Sequence, residues 1–168
     1  VSVRYQETYE NLSELNEEVY YEFSLPDGSV ITNLQLGPDL EFKGQIAPKG
    51  AARTTYSTQV VSYIPVHPAL FDQIGPRQYR LRVFPIPPKP SPFLSTSTPI
   101  KPQRVMFEYV TLRQPSGVSL PTFTEKRNVF DDAKTLRPYE LDGKSVSVAD
   151  NEKLFPLSSP LADCSTPS

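Results

Sequence analysis

The stretch Arg77–Ile86, RQYRLRVFPI, shows most clearly what kind of fold this chain forms. Apolar and polar residues alternate along it, and its apolar side holds Tyr79, Leu81 and Val83. A period of two residues is typical of a β-strand that buries one face. The stretch therefore predicts a half-buried strand, and we interpret the rest of the chain outward from it.

The same alternation recurs on both sides of this strand. It is present in Val1–Tyr9, VSVRYQETY, in Val19–Pro26, VYYEFSLP, and in Arg104–Arg113, RVMFEYVTLR. We interpret Arg104–Arg113 as the antiparallel partner of Arg77–Ile86. The repeated alternation predicts a domain built from β-strands.

Turn signals separate these strands. Asp27-Gly28 and Gly37-Pro38 flank one further strand, which we expect to form a hairpin with Leu40–Ile46, LEFKGQI. Asp142-Gly143 predicts a second hairpin, because Asp-Gly favours the tight turns that join antiparallel strands.

One segment departs from the alternation and predicts a helix over residues 48–61. Apolar and small residues recur there at intervals of four, the spacing of one helical face. Small residues allow a close approach to a sheet, so we expect the helix to pack on a sheet through Ala51, Ala52, Tyr56 and Val60.

A second, shorter segment predicts a helical turn over residues 68–74. Pro68 suits the first turn of a helix, and Leu70, Phe71 and Ile74 form an apolar side. Together the patterns predict an all-β fold, an antiparallel β-sandwich with one packed α-helix around 48–61 and a short helical turn around 68–74.

Composition narrows the function classes. The chain has 168 residues, a formal net charge of −2 and no basic block, so we expect no nucleic-acid partner. Its 19 prolines favour a β domain with proline-marked loops over a helical one. No apolar run approaches the length of about 18 residues expected of a transmembrane helix.

Few residues are candidates for catalysis or metal binding. His67 is the only histidine and Cys164 the only cysteine. Glu125, Asp131 and Asp132 cluster loosely, but we interpret them as solvated acids around a turn. An enzyme would need His67 or these acids to meet in a cleft. We expect no catalytic residue, no metal and no cofactor.

Two features suggest an interaction surface. Arg80, Arg82, Lys101 and Arg104 would form a basic strip if their strands pair, suited to an acidic polysaccharide or anionic lipid. The alternative is a solvated face that pairs with Glu108.

Seven prolines lie in the loop Pro85–Gln103. We interpret this segment either as a docking element in polyproline II form or as a long tolerated loop. Tyr20 or Tyr63 could line a sugar-binding site if exposed.

The order of several short motifs resembles the VIT domain, the module of vault proteins and inter-alpha-trypsin inhibitor heavy chains. The resemblance spans roughly Val1–Arg113. It implies an antiparallel β-sandwich with one packed helix and a non-catalytic role in protein interaction or structure. The matching positions are Leu25-Pro26, Ile31-Thr32, Gly44, Lys49, Ala52, Tyr56, Gln78-Tyr79 and Met106–Leu112.

Two stretches are similar to the VIT version found in bacterial integral membrane proteins of the PEP-CTERM/exosortase systems. They are Gln73–Pro88, QIGPRQYRLRVFPIPP, and Glu125–Asp132, EKRNVFDD. This resemblance implies a parent protein linked to PEP-CTERM protein sorting or envelope polymer export. It places the domain on the extracytoplasmic side of the cytoplasmic membrane. We expect any membrane tether to lie outside this chain, and the partner to be another domain of the same parent.

The domain organisation follows from the two resemblances and from composition. We expect a VIT-like domain over residues 1–153, with a core over 1–113 and a C-terminal extension over 114–153. A linker or tail rich in Ser and Pro follows over residues 154–168.

Overall fold

The computed structural model describes residues 1–44, 69–90, 101–141, 143–146 and 154–155. These residues contain twelve β-strands and no helix. The strands are β1 (Ser2–Tyr9), β2 (Glu17–Ser24), β3 (Val30–Leu36), β4 (Phe42–Lys43), β5 (Ala69–Gly75), β6 (Gln78–Ile86), β7 (Gln103–Val110), β8 (Val118–Ser119), β9 (Thr122–Arg127), β10 (Tyr139–Leu141), β11 (Lys144–Val146) and β12 (Leu154–Phe155).

The longer strands form two four-stranded antiparallel sheets. The first sheet has the order β1-β7-β3-β4, and the second has the order β5-β6-β2-β9. Two further pairs, β10-β11 and β12-β8, are small two-stranded sheets. Alternating side chains from both large sheets turn inward and share one core, so the described chain is an antiparallel β-sandwich.

The core is rich in aromatic side chains. Phe23 of β2 stacks on Phe107 of β7 with ring centroids 4.9 Å apart, which joins the middle of one sheet to the middle of the other. Offset aromatic contacts of this kind add to the free energy gained by burial alone. The largest fully buried side chains are Tyr21, Tyr109, Phe23, Phe107, Leu25, Leu81, Gln103, Val83 and Val105.

The predicted helical elements are not seen, and the fold class needs correction there. Residues 69–75 form strand β5, so the helical turn predicted over 68–74 is wrong. Phe71 lies opposite Leu81 of β6, and its ring lies 5.4 Å from the ring of Tyr79. A short apolar segment can fit the spacing of a helix or of a strand, and cross-strand packing of this kind favours the strand. The helix predicted over 48–61 lies outside the described residues.

The predicted pairing of Arg77–Ile86 with Arg104–Arg113 is also wrong. In the structure β6 pairs with β2 and β5, whereas β7 pairs with β1 and β3. The two strands lie in different sheets. Their alternation shows which side of each strand faces the core, but it carries no information about which strand lies beside it.

Both hairpins predicted from turn signals are confirmed. β3 and β4 form the predicted hairpin, with Gln35 opposite Lys43. β10 and β11 form the hairpin predicted around Asp142-Gly143, and Gly143 has a φ of 75°, which glycine adopts without steric cost.

Residues beyond Arg113 complete the second sheet. β9 pairs with β2, and Lys126 lies opposite Tyr21 in the register. The Phe123 ring lies 5.5 Å from the Tyr21 ring and 5.2 Å from the Tyr5 ring. The sandwich therefore uses the chain at least as far as β9.

Candidate functional site

The two predicted surface arginines lie on the outer face of the second sheet, and each contacts a glutamate of β2. An Nη atom of Arg80 lies 2.8 Å from Glu22, and an Nη atom of Arg82 lies 3.0 Å from Glu18. Alternation turns every second residue of β6 and β2 outward, and the pairing of these two strands places the arginines beside the glutamates. Their charges are therefore neutralised within the sheet.

Tyr20 completes this charged face. Its hydroxyl donates a hydrogen bond of 2.5 Å to Glu22. That bond, together with the hydrogen bond from Arg80, lowers the pKa of Glu22 below its ordinary value. The guanidinium of Arg127 lies 4.3 Å from the centroid of the Tyr20 ring, and that of Arg80 lies 5.6 Å from it. The ring thus contacts cations of its own sheet.

The other two predicted cations lie on or next to the first sheet. Lys101 precedes β7, and its Nζ atom lies 2.5 Å from a carboxylate oxygen of Asp39. Arg104 is exposed on β7, opposite Thr8 of β1. Because β6 and β7 do not pair, the four cations divide between two sheets rather than following one pair of strands.

Glu108, the partner expected for the arginines of β6, contacts other residues. Its carboxylate accepts hydrogen bonds from Arg4 at 2.8 Å and from Asn33 at 3.1 Å. These bonds lower the pKa of Glu108, with that from Arg4 the larger cause. Cross-strand ion pairs therefore lie on the outer faces of both sheets.

A polar cluster lies between β1 and β9, where the two sheets meet at one side of the sandwich. Glu7 points inward from β1, and its side chain is only 16% exposed. It accepts a hydrogen bond of 2.7 Å from the Tyr5 hydroxyl and another from the Tyr9 hydroxyl. Lys126 of β9 lies 2.8 Å from the same carboxylate. The cluster joins the edge strands of the two sheets.

Burial sets the protonation of Tyr5 and Tyr9 in this cluster and of the neighbouring Tyr21. Removal from water raises the pKa of Tyr9 and Tyr21 well above the ordinary value, and the negative charge of Glu7 adds to the effect. Burial raises the pKa of Tyr5 too. These tyrosines therefore stay neutral, and the Tyr5 and Tyr9 hydroxyls donate hydrogen bonds to Glu7, which suits a structural role rather than nucleophilic chemistry.

Sequence reasoning missed this cluster. The signal was present, because Glu7 stands on the apolar side of the alternation formed by Val3, Tyr5 and Tyr9. An acid on the buried side of a strand requires a partner, and Lys126 supplies one from a strand 119 residues away.

The candidate acids serve local structure. Glu125 accepts a hydrogen bond of 2.7 Å from Arg127, and Asp131 pairs with Arg137. Asp132 accepts a hydrogen bond of 2.8 Å from the backbone of Lys134, as expected for an acid at a turn. Residues 1–44, 69–90, 101–141 and 143–146 hold no group of three or more potential metal ligands.

Several predicted residues lie outside the described residues. They include His67 and Cys164, and the helix-packing residues Ala51, Ala52, Tyr56 and Val60. In the described part of the chain, no helix is long and apolar enough to cross a membrane.

Comparison with known proteins gives one match. No curated protein and no solved structure matches the chain. The family model described as the vault protein inter-alpha-trypsin domain matches residues 1–92, more than half of the 168 residues. Within the described residues, the match holds β1 to β6. The chain therefore belongs to the VIT domain family.

Proposed function

We propose that this chain is a non-catalytic protein-interaction or structural module of a larger bacterial membrane-associated protein. Membership of the VIT family carries this proposal, because VIT domains are generally non-catalytic and of a protein-interaction type. The geometry agrees with it. In the described residues, several ion pairs tie one strand to another, as Arg80 does to Glu22 and Lys126 to Glu7.

The parent protein takes part in PEP-CTERM protein sorting or envelope polymer export, with the domain on the extracytoplasmic side of the cytoplasmic membrane. The support for this part is the similarity of Gln73–Pro88 and Glu125–Asp132 to such bacterial proteins. An alkaline phosphatase fused within the parent protein directly after Ser168 of this chain tests the compartment. We expect an active fusion. An inactive but stable fusion would place the domain on the cytoplasmic side.

The partner is another domain of the same parent protein. Isothermal titration calorimetry between the purified chain and the separately purified remainder of the parent tests this. We expect saturable binding with one chain per parent remainder. Two folded components that give no heat and no co-elution would overturn the proposal of an intramolecular partner.

The competing function is binding of a carbohydrate or anionic polymer. It has less support, since Arg80 and Arg82 are paired with glutamates and Tyr20 contacts two guanidinium groups. Arg104 is the exposed cation that favours it. Titration with heparin separates the two functions. Salt-sensitive binding that Arg104→Ala abolishes, without binding to the parent remainder, would replace the proposal by this function.

A further inference from the structure

β1 forms the edge of the first sheet and is the longest edge strand in the described part of the chain. It spans eight residues and pairs with β7 in a register without any shift. On its other side no described strand pairs with it. Four side chains of β1 point outward and are exposed: Ser2, Arg4, Gln6 and Thr8.

The hydrogen bonds show which backbone groups of β1 are open. Val1 and Thr111 donate to each other's carbonyl oxygens at 2.9 Å, which makes them a hydrogen-bonded pair. In an antiparallel ladder such pairs alternate with pairs that do not exchange hydrogen bonds. Residues with odd numbers in β1 therefore bond β7, and those with even numbers direct their N–H and C=O groups away from it.

The neighbouring strand confirms this assignment. The carbonyl oxygen of Arg104 accepts a hydrogen bond of 3.1 Å from Gly37, on the β3 side of β7. Even-numbered residues of β7 thus bond β3, which leaves the odd-numbered ones for β1. Four residues of β1 consequently offer an unbroken row of donors and acceptors at the edge, and such a row is a template for another strand.

The other edge strands carry features that limit pairing. β4 has two residues, and the ladders that hold β5 and β9 each contain a register shift. An inward charge on an edge strand also opposes pairing. In β1 that charge is Glu7, which Tyr5, Tyr9 and Lys126 already satisfy.

We propose that β1 pairs with β1 of a second copy of this chain, antiparallel about a twofold axis, with Gln6 opposite Gln6. The strand is complementary to itself in this register. Arg4 faces Thr8, Ser2 faces Glu10, and no two like charges stand opposite each other. A register centred on Arg4 would place Arg4 against Arg4, and one centred on Glu7 would place Glu7 against Glu7, and either like-charge pair costs free energy. The pairing extends both first sheets into one sheet of eight strands.

Sedimentation velocity over a range of chain concentrations tests the dimer. Gln6→Pro removes an N–H that points away from β7, so it leaves the β1–β7 ladder intact but blocks the new one. We expect it to raise the dissociation constant at least about tenfold. Gln6→Ala keeps the N–H and is expected to dimerise. A wild-type chain that is monomeric throughout, or a Gln6→Pro variant that dimerises equally, overturns the proposal.

A disulfide tests the register without relying on proline. On a Cys164→Ser background, Gln6→Cys would place two thiols in a hydrogen-bonded pair, with Cα atoms about 5.5 Å apart, within the range that a disulfide spans. Thr8→Cys is the matched control, because its copies would lie about 14 Å apart. We expect disulfide-linked dimers from Gln6→Cys alone. Equal cross-linking of both variants, or of neither, contradicts the pairing.

Discussion

The Phe23 ring stacks on the Phe107 ring across the sandwich, with centroids 4.9 Å apart and planes 21° apart. Phe23 belongs to a strand in the middle of the second sheet, and Phe107 to a strand in the middle of the first. Both side chains are almost completely buried. This contact therefore holds the two layers together at their centres.

Phe107→Ala is expected to lower the free energy of unfolding by about 4 kcal/mol, because it removes a buried ring and leaves a cavity. Urea unfolding followed by circular dichroism measures the change. Val110→Ala, on the exposed outer face of the same strand, is the matched control and is expected to cost less than about 0.5 kcal/mol. Similar losses for both variants would mean that the sheets do not pack as described.

Glu7→Ala is expected to lower the free energy of unfolding by about 2 kcal/mol, because the buried hydroxyls of Tyr5 and Tyr9 lose their acceptor. Chemical denaturation measures it. Glu125→Ala, which breaks an exposed pair with Arg127, is the control and should cost less than about 0.5 kcal/mol. If the Glu7 variant is as stable as the control, the polar cluster contributes nothing to the fold.

Gln103→Leu is expected to raise the free energy of unfolding by about 1 kcal/mol. The Gln103 side chain is fully buried, and neither of its amide atoms has a hydrogen-bond partner among the described residues. An apolar side chain of similar volume avoids the cost of burying these groups. Thermal melts compare the stability of the Gln103→Leu variant with that of the wild-type chain. A variant destabilised by more than about 1 kcal/mol would show that the amide is hydrogen-bonded in the folded chain.

Stability is expected to fall as the pH rises above about 10, the ordinary pKa of tyrosine in an unfolded chain. Burial raises the pKa of Tyr9 and Tyr21 well above that value, so the folded chain keeps protons that the unfolded chain releases. The stabilisation is fully present below pH 10 and is lost above it.

Unfolding in urea at pH 9 and pH 11 measures this loss, and Tyr21→Phe should reduce it. Ultraviolet absorbance follows the ionisation of the tyrosines. If all of them ionise near pH 10 while the chain stays folded, the hydroxyls of Tyr9 and Tyr21 are accessible to water, which contradicts the prediction.

The sequence predicted the strands well, and it predicted their neighbours poorly. Alternation correctly placed Leu81 and Val83 toward the core, because burial of one face depends only on local order. It could not show that β6 and β7 lie in different sheets, since both strands have the same pattern. The partner of a strand depends on how distant segments of the chain come together.

The prediction of a helical turn over residues 68–74 was wrong for a different reason. Leu70, Phe71 and Ile74 fit a helical spacing, yet the strand β5 packs the partly buried Phe71 against Tyr79 and Phe23. Glu7 was overlooked because its partner, Lys126, is distant in sequence. The positions of Arg80 and Arg82 on one outward face were correct, but their glutamate partners depend on the pairing of β6 with β2.

The most direct test of the two-sheet arrangement is a set of backbone nuclear Overhauser effects between strands. The account predicts close Hα contacts between Gln6 and Met106, which form a pair without mutual hydrogen bonds, and backbone contacts between Tyr21 and Leu81. Backbone contacts between β6 and β7, with none across Gln6 and Met106, would contradict it.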